Sequence, residues 1–281
     1  MKKLIFLIVL CFCFSFVTSV AFANELNSIQ AEIEFNQTPD NDELITDPEK
    51  IQERKELVKN EVIKILKKSK DMKKVEKWLL DSGFIKIEPD IVEPDTEVGI
   101  LSANNNVTYN VDVYYDTMTD DYTVYGEWFW NDCAWSSDVP AFGGNVGGND
   151  GVALWFSNNN DLTMVNGSAY LLMNSYTGYW GQTSTPWDWD QNGVAFKYQD
   201  RSWVSGTPCN YDYNFDSGYV SVTLTADTPC SSYLKVSYGH DWNTTDLSSV
   251  TISSSGVSFT FTKTTDKWQG TSNTYTHTFS N

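Results

Sequence analysis

Residues Val107 to Trp130 constrain this chain more than any other stretch. Val107, Tyr109, Val111, Val113 and Tyr115 alternate with polar residues. A break, Asp116-Thr117-Met118-Thr119-Asp120-Asp121, follows, and then Tyr122, Val124, Trp128 and Trp130 share one parity. Successive side chains of a strand point to opposite faces, so period two in two runs separated by turn residues predicts a β-hairpin with one buried face. The same grammar recurs downstream in Val220/Val222/Leu224, Leu234/Val236/Tyr238, Val257/Phe259/Phe261 and Tyr275/His277/Phe279. Turns built on Asn-Asp-Gly151, Gln-Asn-Gly193, Asp-Ser-Gly218 and Ser-Ser-Gly256 feed these runs. Unequal spacing excludes a tandem solenoid. The expectation is an all-β fold: an antiparallel β-sandwich of about nine to eleven strands over residues 106–281, with a closed barrel as the alternative.

What precedes this body differs from it. Lys2-Lys3, an apolar run from Leu4 to Phe14 and Ala21-Phe22-Ala23 have the order of a signal peptide, expected to be cut after Ala23. The apolar run is short for a bilayer span, and no later stretch is apolar enough to be one. Residues 24–46 are polar and acidic, which predicts disorder. Residues 47–83 read as a short charged α-helical segment, a spacer or pro-region. Asp47 is its N-cap, Pro48 its first helical residue and Gly83 its C-terminal glycine, with a loose stripe of Ile51, Val58, Val62, Ile65, Leu66, Val75, Leu79 and Leu80. Ser69 and Asp71 mark a break into two helices. Residues 84–105, with Pro89 and Pro94, read as an extended linker. A pro-region would leave a mature N-terminus between about Gly83 and Asn106.

Charge separates the two parts. The formal net charge is −18, yet Ile51 to Leu80 holds ten basic and five acidic residues. From Glu97 onward there are nineteen acidic residues and five basic ones, and seventeen of the acids are Asp. Opposite charge predicts that the helical segment docks on the β body. An acidic body excludes nucleic acid as a partner, because phosphate contacts need Lys and Arg. A basic amphipathic helix also suits an anionic membrane surface, although acids are mixed among its lysines and the solvated-face reading is preferred.

Beyond the leader there are three cysteines, Cys133, Cys209 and Cys230. Export permits a disulfide, and an odd count leaves one thiol over. Matching Thr-Pro-Cys triplets favour Cys209–Cys230, with Cys133–Cys209 as the rival.

Four candidate sites follow. Trp180, Trp187 and Trp189 lie in polar loops beside Asp188 and Asp190. An indole face stacks on a pyranose while carboxylates bond its hydroxyls, so these five residues are the candidate glycan site. The alternative is that the rings cap the core. Asp188, Asp190 and Asn192 with Gly193 also match the opening D-x-D-x-N-G of a calcium loop. The twelfth position is Gln199 instead of Glu and the flanks are strands, so calcium is set against a ligand-free turn. No other cofactor is expected. Glu127, among aromatics, is the candidate general acid of a sandwich glycosidase. His240 and His277 lack the G-x-S-x-G elbow of a hydrolase. His277 reads as a core histidine and His240 as a turn residue. The functional expectation is a secreted, extracellular, non-enzymatic binding protein for a glycan or cell-wall polysaccharide. The alternatives are a secreted antimicrobial or toxin protein and a glycoside hydrolase. Oligomeric state stays open.

Overall fold

A computed structural model describes residues 44–92, 107–140, 142–157, 161–206 and 209–280. The signal peptide, most of the acidic segment and the greater part of the linker lie outside the described residues.

Two helices open the described chain, α1 (Pro48–Ser69) and α2 (Met72–Asp81). Asp47 caps α1 by accepting from the Glu49 amide at 2.9 Å, and Asp71 caps α2 from Lys73 at 3.0 Å. Lys70 ends α1 in the left-handed region, φ 52°. The apolar stripe buries Val58, Val62, Leu66, Val75 and Leu79 against Phe84, Tyr114, Tyr125, Tyr170, Leu172 and Tyr219 of the adjoining sheet. Arg54, buried in the same layer, pairs with Asp116 through Nε–Oδ2 at 2.6 Å and Nη2–Oδ1 at 2.8 Å.

That sheet contains β1 (Phe84–Ile87), β3 (Val107–Asp116), β4 (Asp121–Trp130), β6 (Leu162–Met164), β7 (Tyr170–Asn174), β8 (Trp180–Thr183) and β12 (Ser217–Ala226). Its order is β1-β3-β4-β12-β7-β8, with β6 also on β12. The second sheet contains β2 (Asp90–Val92), β5 (Gly144–Phe156), β9 (Asp188–Asp190), β10 (Gly193–Val204), β11 (Tyr211–Tyr213), β13 (Cys230–Asp241), β16 (Lys267–Thr271) and β17 (Thr274–Phe279). Its order is β11-β10-β5-β13-β17-β2, with β9 on β10 and β16 on β13. Every pairing in both sheets is antiparallel.

The inner faces meet in one core. Val111, Val113, Val124, Trp128, Val220 and Val222 of the first sheet pack with Leu154, Phe196, Val236 and Tyr238 of the second. Gly126 shows how closely they approach, since a Cβ there would lie 2.3 Å from Val236 Cγ2. A hairpin, β14 (Leu247–Ser253) and β15 (Gly256–Phe261), covers the outer face of the second sheet over Ala153, Trp155 and Ala195.

The opening hairpin has the register its parity demanded, Val107 facing Trp130 and Val113 facing Val124. Three expectations change. The hairpin is buried on both faces: Tyr114 and Tyr125, on the face opposite the core, lie under the helices. Phe84–Ile87 and Asp90–Val92, read as linker, are strands β1 and β2, one in each sheet. The described residues form seventeen strands, fifteen of them beyond residue 106 and so above the expected count, because β6, β9 and β11 have only three residues each and β8 four, too few to show a period. Among the described residues no helix is long and apolar enough to cross a membrane.

Candidate functional site

The tryptophans singled out in the sequence do not assemble. Trp180, on β8, packs with the layer beneath the helices. Trp187 packs with the layer under the β14–β15 hairpin, on the opposite side of the sandwich, with Lys197 Nζ 4.1 Å from its ring centroid. Trp189 is 63 % exposed on the short strand β9. Two sheets therefore separate Trp180 from Trp187. Asp188 accepts from the Trp189 amide at 3.0 Å. Asp190 accepts from the Asn192 amide at 2.7 Å and from Asn192 Nδ2 at 3.3 Å, which closes the turn into Gly193.

A different set of rings does come together, where the β7–β8 loop meets β10. Tyr179 and Tyr198 share a hydroxyl contact of 3.1 Å, and Tyr179 meets Trp203 edge-on with centroids 5.8 Å apart. Tyr176 (62 % exposed) is in the same loop as Tyr179, and Val204 (65 %) follows Trp203. Phe142 (94 %) precedes Gly143, where a Cβ would lie 2.9 Å from Trp203 Cα. These residues form an aromatic rim at the surface, with Phe142, Tyr176 and Tyr179 exposed and Tyr198 and Trp203 half-buried, Tyr198 being stacked on the core residue Phe215 at 6.0 Å.

The rim loop is held from below. Asp212, on β11 and fully buried, accepts through Oδ2 from Ser175 Oγ at 3.0 Å, from the Thr177 amide at 3.1 Å and from the Thr177 hydroxyl. Ser175 Oγ in turn accepts from the Tyr179 amide at 3.0 Å. Lys70, at the end of α1, donates to the carbonyls of Ser175 and Tyr176, the latter at 3.1 Å. A loop with this many fixed partners presents its rings in one arrangement.

Strand β11 is itself fixed by a buried polar network at one end of the core. Tyr213 Oη donates to Asp150 Oδ2 at 2.8 Å and lies within hydrogen-bond reach of Asp200 Oδ2 at 2.9 Å. Asp150 also accepts from the Tyr238 hydroxyl, from His240 Nδ1 at 2.9 Å and from the Asp241 amide at 3.0 Å. Asp150, Asp200 and His240 are fully buried. Burial alone would lower the His240 pKa, but the Asp150 carboxylate, with Asp138 and Asp200, outweighs it and raises the pKa to about 10. Burial and then the charge of Asp150 push Asp200 well above the usual carboxylate range. Burial pushes Tyr213 well up as well, so it remains a hydroxyl donor.

These three residues are the one grouping of His, Cys, Asp and Glu donors among the described residues compact enough for a metal, their ligand atoms lying within 4.8 Å of one another. As arranged, however, both Asp150 oxygens face N–H or O–H donors, so protons bind the network together. His240 Nε2 faces Asp138 Oδ2 at 3.6 Å, not a serine or cysteine, so no nucleophile is poised there. His240 is thus a core residue of β13 instead of a turn residue.

The remaining candidates are placed as follows. His277 is buried against Phe279 (4.5 Å between centroids), and burial lowers its pKa to about 4. Glu127 is on the outer face of the first sheet and accepts from Asn110 Nδ2 at 2.8 Å. Burial raises its pKa while Asn110 and Tyr219 pull it back. Asp112, which adds to the rise, is paired with Lys86 at 3.2 Å. The disulfide joins Cys133 to Cys209, and Cys230 is free, which corrects the Cys209–Cys230 expectation. The matching triplets were no guide: Cys230 opens β13 opposite Phe279, whereas Cys133 shortly precedes Trp135 and Cys209 shortly precedes Tyr213, two rings that stack at 5.1 Å. Sequence reasoning missed Tyr176, Tyr179, Tyr198, Trp203 and Asp212. The one available signal was aromatic density, which does not say which rings are neighbours.

No family model matches the chain, and no curated protein matches it. Among solved structures, a protein described as AvmM, which catalyses macrocyclization in alchivemycin A biosynthesis, aligns at 12 % identity over 54 % of this chain and 79 % of its own, with TM-score 0.21. The Clostridium perfringens NetB toxin in its membrane-inserted form aligns at 10 % identity over 69 % and 96 %, TM-score 0.28. Clostridium perfringens delta-toxin aligns at 7 % over 70 % and 86 %, TM-score 0.23. Likenesses this faint carry no argument about function.

Proposed function

We propose that this is a secreted, non-enzymatic binding protein that recognises a glycan through the aromatic rim of Tyr176, Tyr179, Tyr198 and Trp203. One observation carries the reading. Rings from separate segments of the chain meet at the surface, partly exposed, and the loop bearing two of them is locked by the buried carboxylate of Asp212. Ring faces suit the C–H face of a pyranose, while tyrosine hydroxyls stay available to sugar hydroxyls. Preformed loops bind more tightly because less freedom is lost. Export is supported by the leader-like first 23 residues and is compatible with a disulfide.

Retention on immobilised polysaccharides tests this. Tyr179→Ala and Trp203→Ala are each expected to weaken binding about fivefold, the loss of one stacking contact. Trp187→Ala, on the outer face of the second sheet under the β14–β15 hairpin, is expected to leave retention unchanged. Equal retention of all three variants, or no retention of the wild type, would remove the rim from consideration.

A further inference from the structure

The rim has a strongly charged neighbour. Residues 64–77, where α1 gives way to α2, hold seven lysines against two acids, Asp71 and Glu76. Lys64, Lys67, Lys68, Lys70, Lys73 and Lys74 are all exposed. This patch is joined to the rim by direct bonds. Lys70 Nζ reaches the Ser175 and Tyr176 carbonyls of the rim loop, and Lys67 Nζ donates to Gln182 Oε1 on β8 at 2.6 Å. Lys64 and Lys77 have local acid partners, Glu61 at 2.7 Å and Asp81 at 2.6 Å. Lys68, Lys73 and Lys74 point their charge at solvent. The rest of the molecule is of opposite sign, with nineteen acids and five bases after residue 96.

We infer that the ligand of this face is an anionic glycan, a polymer bearing carboxylate or phosphate groups that stacks on the rim while its charges meet the lysine patch. The inference rests on the rim being the ligand face and names the chemical class it takes. Opposite potentials at adjoining patches steer a charged ligand and fix its register. Shape favours a linear polymer over a flat bilayer. A chain of negative charges can run along the patch and the rim alone, whereas a flat anionic surface must also approach a body that carries nineteen acids and five bases after residue 96. Three of the four rim residues are tyrosines, whose hydroxyls suit sugar better than acyl chains.

The test uses the full secreted protein on three immobilised polymers: polygalacturonate, its neutral methyl ester and poly(glycerol phosphate). Phosphatidylglycerol vesicles form a separate arm. The variant Lys68→Gln/Lys73→Gln/Lys74→Gln removes charge at exposed helical positions with little change in helix propensity, and circular dichroism checks its fold. The wild type is expected to bind at least one polyanion about tenfold more tightly than the neutral ester, and added salt should weaken that binding. The lysine variant should lose about tenfold on the polyanion only, and Tyr179→Ala should weaken binding to every polymer that is retained. Equal binding to the neutral ester with no effect of the lysine variant overturns the anionic requirement and leaves the glycan reading in place. Binding to vesicles but to no polymer overturns both. Loss in the lysine variant with Tyr179→Ala unchanged reduces the face to bare charge and also overturns the inference.

Discussion

Asp212 shows how much of the rim one side chain controls. It is fully buried and serves three donors in a loop more than thirty residues away in sequence. Replacing it with Ala leaves the Ser175 hydroxyl and the Thr177 amide without their acceptor. The expected cost is about 3 kcal/mol, the range for buried groups stripped of a charged partner. Asp212→Asn keeps one acceptor oxygen and should fall in between. Urea unfolding reads the stability, and glycan retention reads the loop. An Asp212→Ala protein that unfolds at the wild-type urea concentration would show that the bonds add nothing. Nothing in the local sequence Asn210-Tyr211-Asp212-Tyr213 announced this role, because an Asp beside Asn and Tyr reads equally well as a turn residue.

At the scale of elements, the Cys133–Cys209 bridge ties the loop after β4 to the loop before β11 across 76 residues of sequence. Closing a loop of that length restricts the unfolded chain by about 4 kcal/mol in the entropic model. Cys133→Ser and Cys209→Ser should therefore lose similar stability, about that much each, while Cys230→Ser should stay within about 0.5 kcal/mol. Non-reducing peptide mapping should recover the Cys133–Cys209 cross-link and an unmodified Cys230. A Cys209–Cys230 peptide would contradict the arrangement. The helices were legible as helices, since Asp47-Pro48 and the 3.6-residue stripe are local signals. That they dock on the β body was expected from opposite charge, but which face they would cover was not legible. Their docking depends on Tyr114, Tyr125, Tyr170 and Tyr219, an outer-face set drawn from four strands, and on Arg54 meeting Asp116 across 62 positions.

For the whole molecule, pH acts through the buried network. The folded-state pKa of His240, about 10, lies above its ordinary value of 6.5. Below the lower value both states carry the proton, and the contribution of His240 is fully present. Between the two, the unfolded chain releases its proton and the folded protein keeps it, so stability falls as pH rises toward 10. Asp241 is displaced upward to about 7, by burial first and then by the charge of Asp150. Its penalty therefore grows as pH rises from about 4 to 7 and is constant above that. His277, lowered to about 4 by burial, acts the other way and weakens the fold as pH drops from 6.5. From pH 7 to 10 the contributions of Asp241 and His277 are constant, while His240, and Asp200 with its carboxyl raised by burial, both lose stability, so urea midpoints at fixed ionic strength should decline steadily. A flat profile there would mean that His240 is not held charged in the core.

From the sequence alone follow the β character of the body, the opening hairpin with its register, and two capped helices. Each of these depends on contacts within a few residues or on strict alternation, which a linear string records. Which rings share a surface, which cysteines bond and which carboxylates sit together were decided only by the closing of two sheets on one another. Tyr179 and Trp203 meet because β7, β8 and β10 end at the same corner, and Asp150 meets His240 because β5 and β13 are neighbours. Such pairings cost chain entropy to form and are repaid by burial across the whole core, so no short window of residues encodes them.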